Sequence, residues 1–313
     1  AASGCHGHRQ VAVGMSGTAH SLPQGTPQPS DRLTPRSLHA SASRWLAEGR
    51  AACIVGVDAI RGSTPRETDA RMLVALDQVR GTVGGGHLEW RAIDLARQAL
   101  REGMPTEGWT HTFPLGPTLG QCCGGVVALR FEVLSAATLA AWQVPPPRFH
   151  VELHGAGHVG QAIVKLLSDL DCSVRWIDER ADDLPEWDAQ AGLPDPTMLA
   201  ALPEHITWLP TEAAEREVSD APADACHLVL THRHDLDLKI IDAVLRRGDF
   251  RFAGLIGSQT KRARFLHRLA EQGIEPDKLD RLTCPIGLPD IQGKEPAVIA
   301  IAVVAQLLAK HAA

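Results

Sequence analysis

The sequence predicts an α/β protein: a C-terminal domain built on a parallel sheet, preceded by a smaller N-terminal α+β domain. Three observations carry this reading. Strand-like and helix-like segments alternate from Phe149 onward, the pattern of a parallel sheet with helices on both faces. The first of those strands runs into a helix through Gly155-Ala156-Gly157-His158-Val159-Gly160. Three consecutive prolines, Pro145 to Pro147, can neither continue a helix nor fill a central strand, so residues 143–148 read as a stiff linker.

The elements follow in order. Residues 1–34 are rich in Gly, Ser, Pro and His and read as a disordered leader, in which Met15 is a candidate start. The N-terminal domain, 35–142, opens with a helix near Ser37–Glu48 that stops at Gly49. Ala52–Val57, Arg71–Leu76 and Val126–Val133 are strands, and Leu88–Arg101 is a helix with Ile93, Ala96 and Leu100 on one face. In the C-terminal domain, 149–313, the predicted strands are Phe149–Leu153, Ser173–Ile177, Ile206–Leu209, Cys226–Leu230 and Phe252–Ile256. Its helices follow the glycine turn to Leu170, then span Leu236–Arg247, Thr260–Gln272 and Ala297–Leu308, the last opened by Pro296.

Composition narrows the function. The 313 residues suffice for two domains of about 150 residues each. An apolar fraction of 44% and a charged fraction of 22% are those of a soluble globular chain. The net charge of −6 argues against a general nucleic-acid-binding surface. The longest apolar stretch, Ala297–Ala309, is too short to span a bilayer. Seven irregularly spaced cysteines form no disulfide framework, which fits a reducing cytoplasm.

The most informative segment is Leu119-Gly120-Gln121-Cys122-Cys123-Gly124-Gly125. Adjacent Cα atoms lie about 3.8 Å apart, short of the separation that a disulfide prefers, so two neighbouring thiols are expected. Soft sulfur on a glycine-rich loop suits a soft metal or a sulfur-bearing cofactor; a pair of small core residues is the competing reading. The glycine turn, with Asp178 ending the next strand, has the elements of a dinucleotide site: Gly155, Gly157 and Gly160 admit phosphate at a helix start, and the acid accepts from a ribose hydroxyl. This makes the C-terminal domain Rossmann-like.

Thr231-His232-Arg233-His234-Asp235 follows the fourth strand, at the edge where open parallel sheets bind ligands. His232 and His234, with the carboxylates Asp235 and Asp237, are candidate metal or acid–base groups; the alternative is an aspartate cap with solvated histidines. After the fifth strand, Ser258 or Thr260 caps a helix whose Lys261 and Arg264 share a face, the makings of an anion site. In the N-terminal domain, the amides of Gly84-Gly85-Gly86-His87-Leu88-Glu89 form a second candidate anion cup.

Together these segments resemble the XdhC/CoxI family, accessory proteins of bacterial xanthine dehydrogenase. The likeness rests on Gly62-Ser63-Thr64-Pro65-Arg66, Gly84–Glu89, Gly120–Gly125, Gly155–Gly160, Asp178-Glu179-Arg180, Thr231–Asp235, Gly254–Ser258, Cys284–Leu288 and Gly293–Pro296, and runs from about Leu38 to Leu308. It departs at Asp69, where the family pattern has glycine before the alanine. The resemblance implies a chaperone that binds molybdenum cofactor, supports its sulfuration by a cysteine desulfurase, and inserts it into apo-xanthine dehydrogenase or a related hydroxylase. It further implies that Cys122 or Cys123 faces molybdenum, that Gln121 hydrogen-bonds the metal's oxo or sulfido groups, and that Gly155, Gly157, His158, Gly160, Asp178, His232, His234, Ser258, Lys261 and Arg264 belong to the cofactor site. A homodimer is compatible with this role. The alternative is an NAD(P)-dependent oxidoreductase built on the glycine turn and Asp178.

Overall fold

The computed structural model describes residues 34–61, 70–114, 125–180 and 192–311. Its architecture is mixed α/β, with a smaller α+β part followed by a larger parallel-sheet part.

The first part is a five-stranded antiparallel sheet in the order β3-β2-β1-β5-β4. Its strands are β1 (Ala52–Arg61), β2 (Arg71–Ala75), β3 (Val79–Gly81), β4 (Trp109–Pro114) and β5 (Val126–Val133). Helix α1 (Pro35–Ala47) is capped by the Thr34 side chain, which accepts from Ser37 N, and packs Leu38 and Trp45 on Leu73 and Ala75. On the other face α2 (Gly86–Glu102) buries Leu88, Ala92, Ile93 and Ala96 against Val55, Met72 and Val74. The period-3.6 spacing of those four residues is what commits the segment to a helix against this sheet. Helix α3 (Ala136–Ala141), closed by a Ser135/Thr138 capping box, ends the part.

The register puts three connections at one end of this sheet. Arg61 and Pro114 both pair with Val126, Gly56 pairs with Arg71, and Met72 pairs with Gly81. The flanks of segments 62–69 and 115–124 and the turn after β3 therefore share that end.

The second part is a six-stranded parallel sheet ordered β11-β10-β9-β6-β7-β8, with β6 (His150–His154), β7 (Ser173–Asp178), β8 (Ile206–Pro210), β9 (Cys226–Val229), β10 (Phe252–Leu255) and β11 (Leu282–Thr283). The helices are α4 (His158–Leu167), α5 (Pro196–Ala200), α6 (His234–Arg247), α7 (Gln259–Glu271), α8 (Pro276–Asp280) and α9 (Pro296–His311), with a short 3₁₀ helix at Arg216–Asp220. One core, holding Val151, Leu153, Trp176, Leu228 and Val303, fills the face under α4 and α9. A second, holding Ile177, Val229, Leu236, Ile241 and Phe265, fills the opposite face. The order reverses between β6 and β9, which are neighbours but not consecutive. The crevice beyond their carboxyl ends is where such sheets bind ligands. Among the described residues no helix is long and apolar enough to cross a membrane.

Candidate functional site

The glycine turn caps β6. Gly155 has φ of +119°, and a Cβ there would sit 2.3 Å from the Leu230 carbonyl oxygen. A Cβ on Gly160 would sit 2.2 Å from the Gly155 oxygen. Those two glycines are demanded by chain packing. Gly157 differs: its φ is −69° and a Cβ would meet nothing within 4 Å. The open space over Gly157, at the start of α4, is where a ligand can approach the backbone.

Asp178, at the end of β7, is turned inward. Its Oδ2 accepts from Ala156 N at 2.6 Å and from Arg180 Nη2 at 2.8 Å. Its Oδ1 accepts from Arg180 N at 3.0 Å and Arg180 Nε at 2.9 Å. A carboxylate offers about four lone-pair sites, so this one is saturated, and it is 4% exposed. Burial pushes its pKa up, but the hydrogen bonds and charge of Arg180 and the Ala156 amide outweigh it and hold the group below the usual carboxylate range. The sequence reading gave Asp178 to a ribose hydroxyl; in the structure its carboxylate holds the glycine turn through Ala156 N and is paired with Arg180.

A polar concavity lies one strand over, beyond β9 and β10. A cavity of about 450 Å³ is lined by Thr231, His232, His234, Ser258, Thr260, Lys261, Arg264 and Arg268, among others. Three local arrangements build it. Asp237 on α6 is 1% exposed and accepts through Oδ1 from Thr231 N at 3.0 Å and Thr231 Oγ1 at 2.7 Å, which shapes the turn after β9. Ser258 caps α7 by accepting from Lys261 N at 3.2 Å. Lys261 Nζ donates to Asp237 Oδ2 at 2.6 Å and to the Ile256 carbonyl at 2.9 Å, so it ties the two turns together. Gly257 makes room for it, since a Cβ there would come within 2.6 Å of the lysine side chain.

The rim is polar and cationic. Glu179 reaches across β6 to Arg233 Nε at 3.1 Å and His232 Nε2 at 3.7 Å. Arg264 and Arg268 line the cavity from successive turns of α7, and neither has an ion-pair partner among the described residues. Thus His232, His234, Ser258, Lys261 and Arg264 share one cavity, while the glycine turn lies beside it. His158 does not join them: it borders a separate, mostly apolar cavity of about 510 Å³ between α4 and α9, with Leu166 and Ile301. Helix α6 starts at His234 with Arg233 as its cap residue, so Asp235 is not the cap. Sequence reasoning missed Arg268, for which the i, i+4 spacing from Arg264 was the available signal; Asp237, expected as a metal or acid–base group, is instead the buried partner of Thr231 and Lys261.

The second expected anion cup is filled from within. Buried Glu89 accepts from Val83 N at 3.2 Å, Gly85 N at 3.1 Å and the Thr82 hydroxyl, so the glycine loop wraps the chain's own carboxylate. Gln121, Cys122 and Cys123 lie outside the described residues. The described cysteines, Cys53, Cys172, Cys226 and Cys284, are all buried. Burial pushes the first three thiols up to about 12, which keeps them protonated and inert. Among the described residues no group of His, Cys, Asp or Glu is arranged to hold a metal ion.

Comparison with known proteins now decides the family. The XdhC Rossmann domain matches residues 151–307, half of the chain, and the XdhC and CoxI family matches residues 45–114. The chain belongs to the XdhC/CoxI family. Protein YqeB of Escherichia coli strain K12, described as uncharacterized, is 30% identical over 251 residues, covering 79% of this chain and 41% of that one. The chain thus spans less than half the length of this curated relative. A crystal structure named as a xanthine dehydrogenase from Bacillus halodurans superimposes with a TM-score of 0.66, covering 89% of this chain and 96% of that one. At 17% identity this likeness carries the fold.

Proposed function

We propose that this XdhC/CoxI chain is a molybdenum-cofactor chaperone: it binds the cofactor, shelters it during sulfuration by a cysteine desulfurase, and delivers it to apo-xanthine dehydrogenase or a related molybdenum hydroxylase. The observation that carries the reading is the crevice at the carboxyl ends of β6, β9 and β10, where the open face of Gly157 adjoins a cavity lined by His232, His234, Arg264 and Arg268. The cofactor is a flat polar pterin with a phosphate and a dithiolene-held metal, and these residues fit it. Arginines and helix starts suit phosphate, histidines and backbone groups suit the pterin edge, and an unfilled position over Gly157 admits a close approach.

When bound, the cofactor supplies the redox-active molybdenum that the hydroxylase needs. The chain's part is to bind, orient and exclude water. Because burial raises all four described thiols and favours their protonated form, Cys122 and Cys123 are the proposed sulfur groups at the metal end, with Gln121 beside them. The saturated state of Asp178 weighs against the NAD-dependent form of the oxidoreductase alternative, which uses that acid for ribose.

The test is to purify the protein from cells that make the cofactor and to measure bound molybdenum and pterin. Both are expected in stoichiometric proportion, with transfer restoring activity to apo-xanthine dehydrogenase. Absence of both, together with failed transfer, overturns the proposal.

A further inference from the structure

We infer that the cavity beyond β9 and β10 is a phosphomonoester site formed by Arg264 and Arg268, and that the adenosine corner of the fold disfavours NAD. The inference rests on the cofactor reading for the ligand's identity, but its anion chemistry stands on the cavity itself.

The charges around the cavity separate into satisfied and unsatisfied groups. Lys261 is neutralised by Asp237 at 2.6 Å. Arg233 is held by Glu179 at 3.1 Å and approached by Asp235 at 3.7 Å. Arg264 and Arg268 have no such partners among the described residues, and they stand at i, i+4 on one face of α7, where like charges repel. Two uncompensated guanidiniums facing one concavity match the charge of a phosphomonoester dianion. Thr260, in the first turn of α7, lines the same wall and carries a hydroxyl, close to the positive end of the helix dipole. Lys261, whose place in the sequence suggests a phosphate ligand, is a positioning residue: its ammonium points at Asp237 and the Ile256 carbonyl.

Discrimination against NAD follows from the neighbouring corner. NAD lays its pyrophosphate on the glycine turn and its ribose on the acid that ends the second strand. Here all acceptor sites of that acid, Asp178, are taken by Ala156 and Arg180. A ribose placed there would leave its hydroxyls unpaired, a loss that strongly disfavours binding.

Calorimetric titration of the full-length, cofactor-free protein tests this, with inorganic phosphate, glycerol 3-phosphate, ADP and NADH as probes. Glycerol 3-phosphate and phosphate are expected to bind, NADH is not, and binding should weaken with added salt. Arg264→Gln and Arg268→Gln each weaken phosphomonoester binding roughly tenfold, whereas Lys239→Gln, exposed on α6 away from the cavity, leaves it unchanged. No binding of any phosphate, wild-type affinity in both arginine variants, or NADH binding tighter than glycerol 3-phosphate overturns the inference. Cofactor content measured on the same variants separates the two claims. Cofactor retained without phosphate binding removes the anion site alone, and phosphate binding with no cofactor ever recovered removes the chaperone reading alone.

Discussion

Asp237 Oδ2 and Lys261 Nζ meet at 2.6 Å across 24 residues of sequence, with the carboxylate 1% and the lysine 12% exposed. This pair joins the turn after β9 to the turn after β10, because Asp237 also holds Thr231 and Lys261 also holds the Ile256 carbonyl. A buried ion pair adds little net stability over an apolar substitute, yet removing one partner strands the other. Lys261→Met is therefore expected to cost about 3–5 kcal/mol, and Asp237→Asn a similar amount. The double variant recovers much of the loss. Urea unfolding of the two single variants and the double variant measures the coupling; strictly additive losses would refute it.

The three glycines of the turn answer differently to alanine. Gly155→Ala meets the Leu230 oxygen at 2.3 Å and keeps an unfavourable φ of +119°, and Gly160→Ala meets the Gly155 oxygen at 2.2 Å. Both are expected to lower stability steeply. Gly157→Ala meets nothing within 4 Å, so its thermal midpoint stays near that of the wild type while bound pterin falls. If Gly157→Ala retains pterin fully, no ligand approaches that backbone.

Glu89 is the internal anion of the first part. Replacing it by alanine orphans the amides of Val83 and Gly85 and the Thr82 hydroxyl, a loss of about 3 kcal/mol at a buried charged acceptor. Glu89→Gln keeps an acceptor oxygen and should lose less. Thermal unfolding ranks the variants as wild type, Gln, Ala; a Glu89→Ala midpoint equal to that of the wild type would show that water replaces the carboxylate freely.

How far the sequence revealed this molecule follows from the range of the forces involved. The strands of the parallel sheet were legible because each is a short apolar run ending in a glycine or turn, as in Cys226–Val229 and Phe252–Leu255. Val79–Gly81 and Leu282–Thr283 were not, since two or three residues show no period. Trp109–Pro114 reads as polar because it is an edge strand with His111 and Thr112 exposed. In the site, the location of the crevice was legible from strand ends and glycines. The state of each charge was not. Asp178 and Arg180 stand two residues apart and pair locally, whereas Lys261 meets Asp237 only through the packing of α6 against α7. Spacing reports which residues reach an edge; the partner that neutralises each one is settled by tertiary contact.

Acid should unfold this protein through the sheet face opposite the cavity between α4 and α9. His154 and His227 stand there with ring centroids 6.0 Å apart. Burial holds the His154 imidazole well below its ordinary value, aided by His227 and Arg175. Burial likewise lowers His227 to about 3, with Arg247 and His150 adding to the effect and Asp249 opposing it. Both are therefore neutral when folded and protonated when unfolded below pH 6.5. For a histidine lowered in this way the unfolded chain binds the extra proton, so stability is complete above 6.5 and is lost as pH falls through the window down to about 3. His227 removes about 1.4 kcal/mol per pH unit over that range, and His154 acts in the same direction. Asp178 adds to the loss only below its unfolded value of 3.8. Urea unfolding at intervals from pH 7 to 4 should give a falling stability, and His227→Gln should flatten the slope by about one proton. An unchanged slope in that variant would mean that His227 accepts a proton in the folded state.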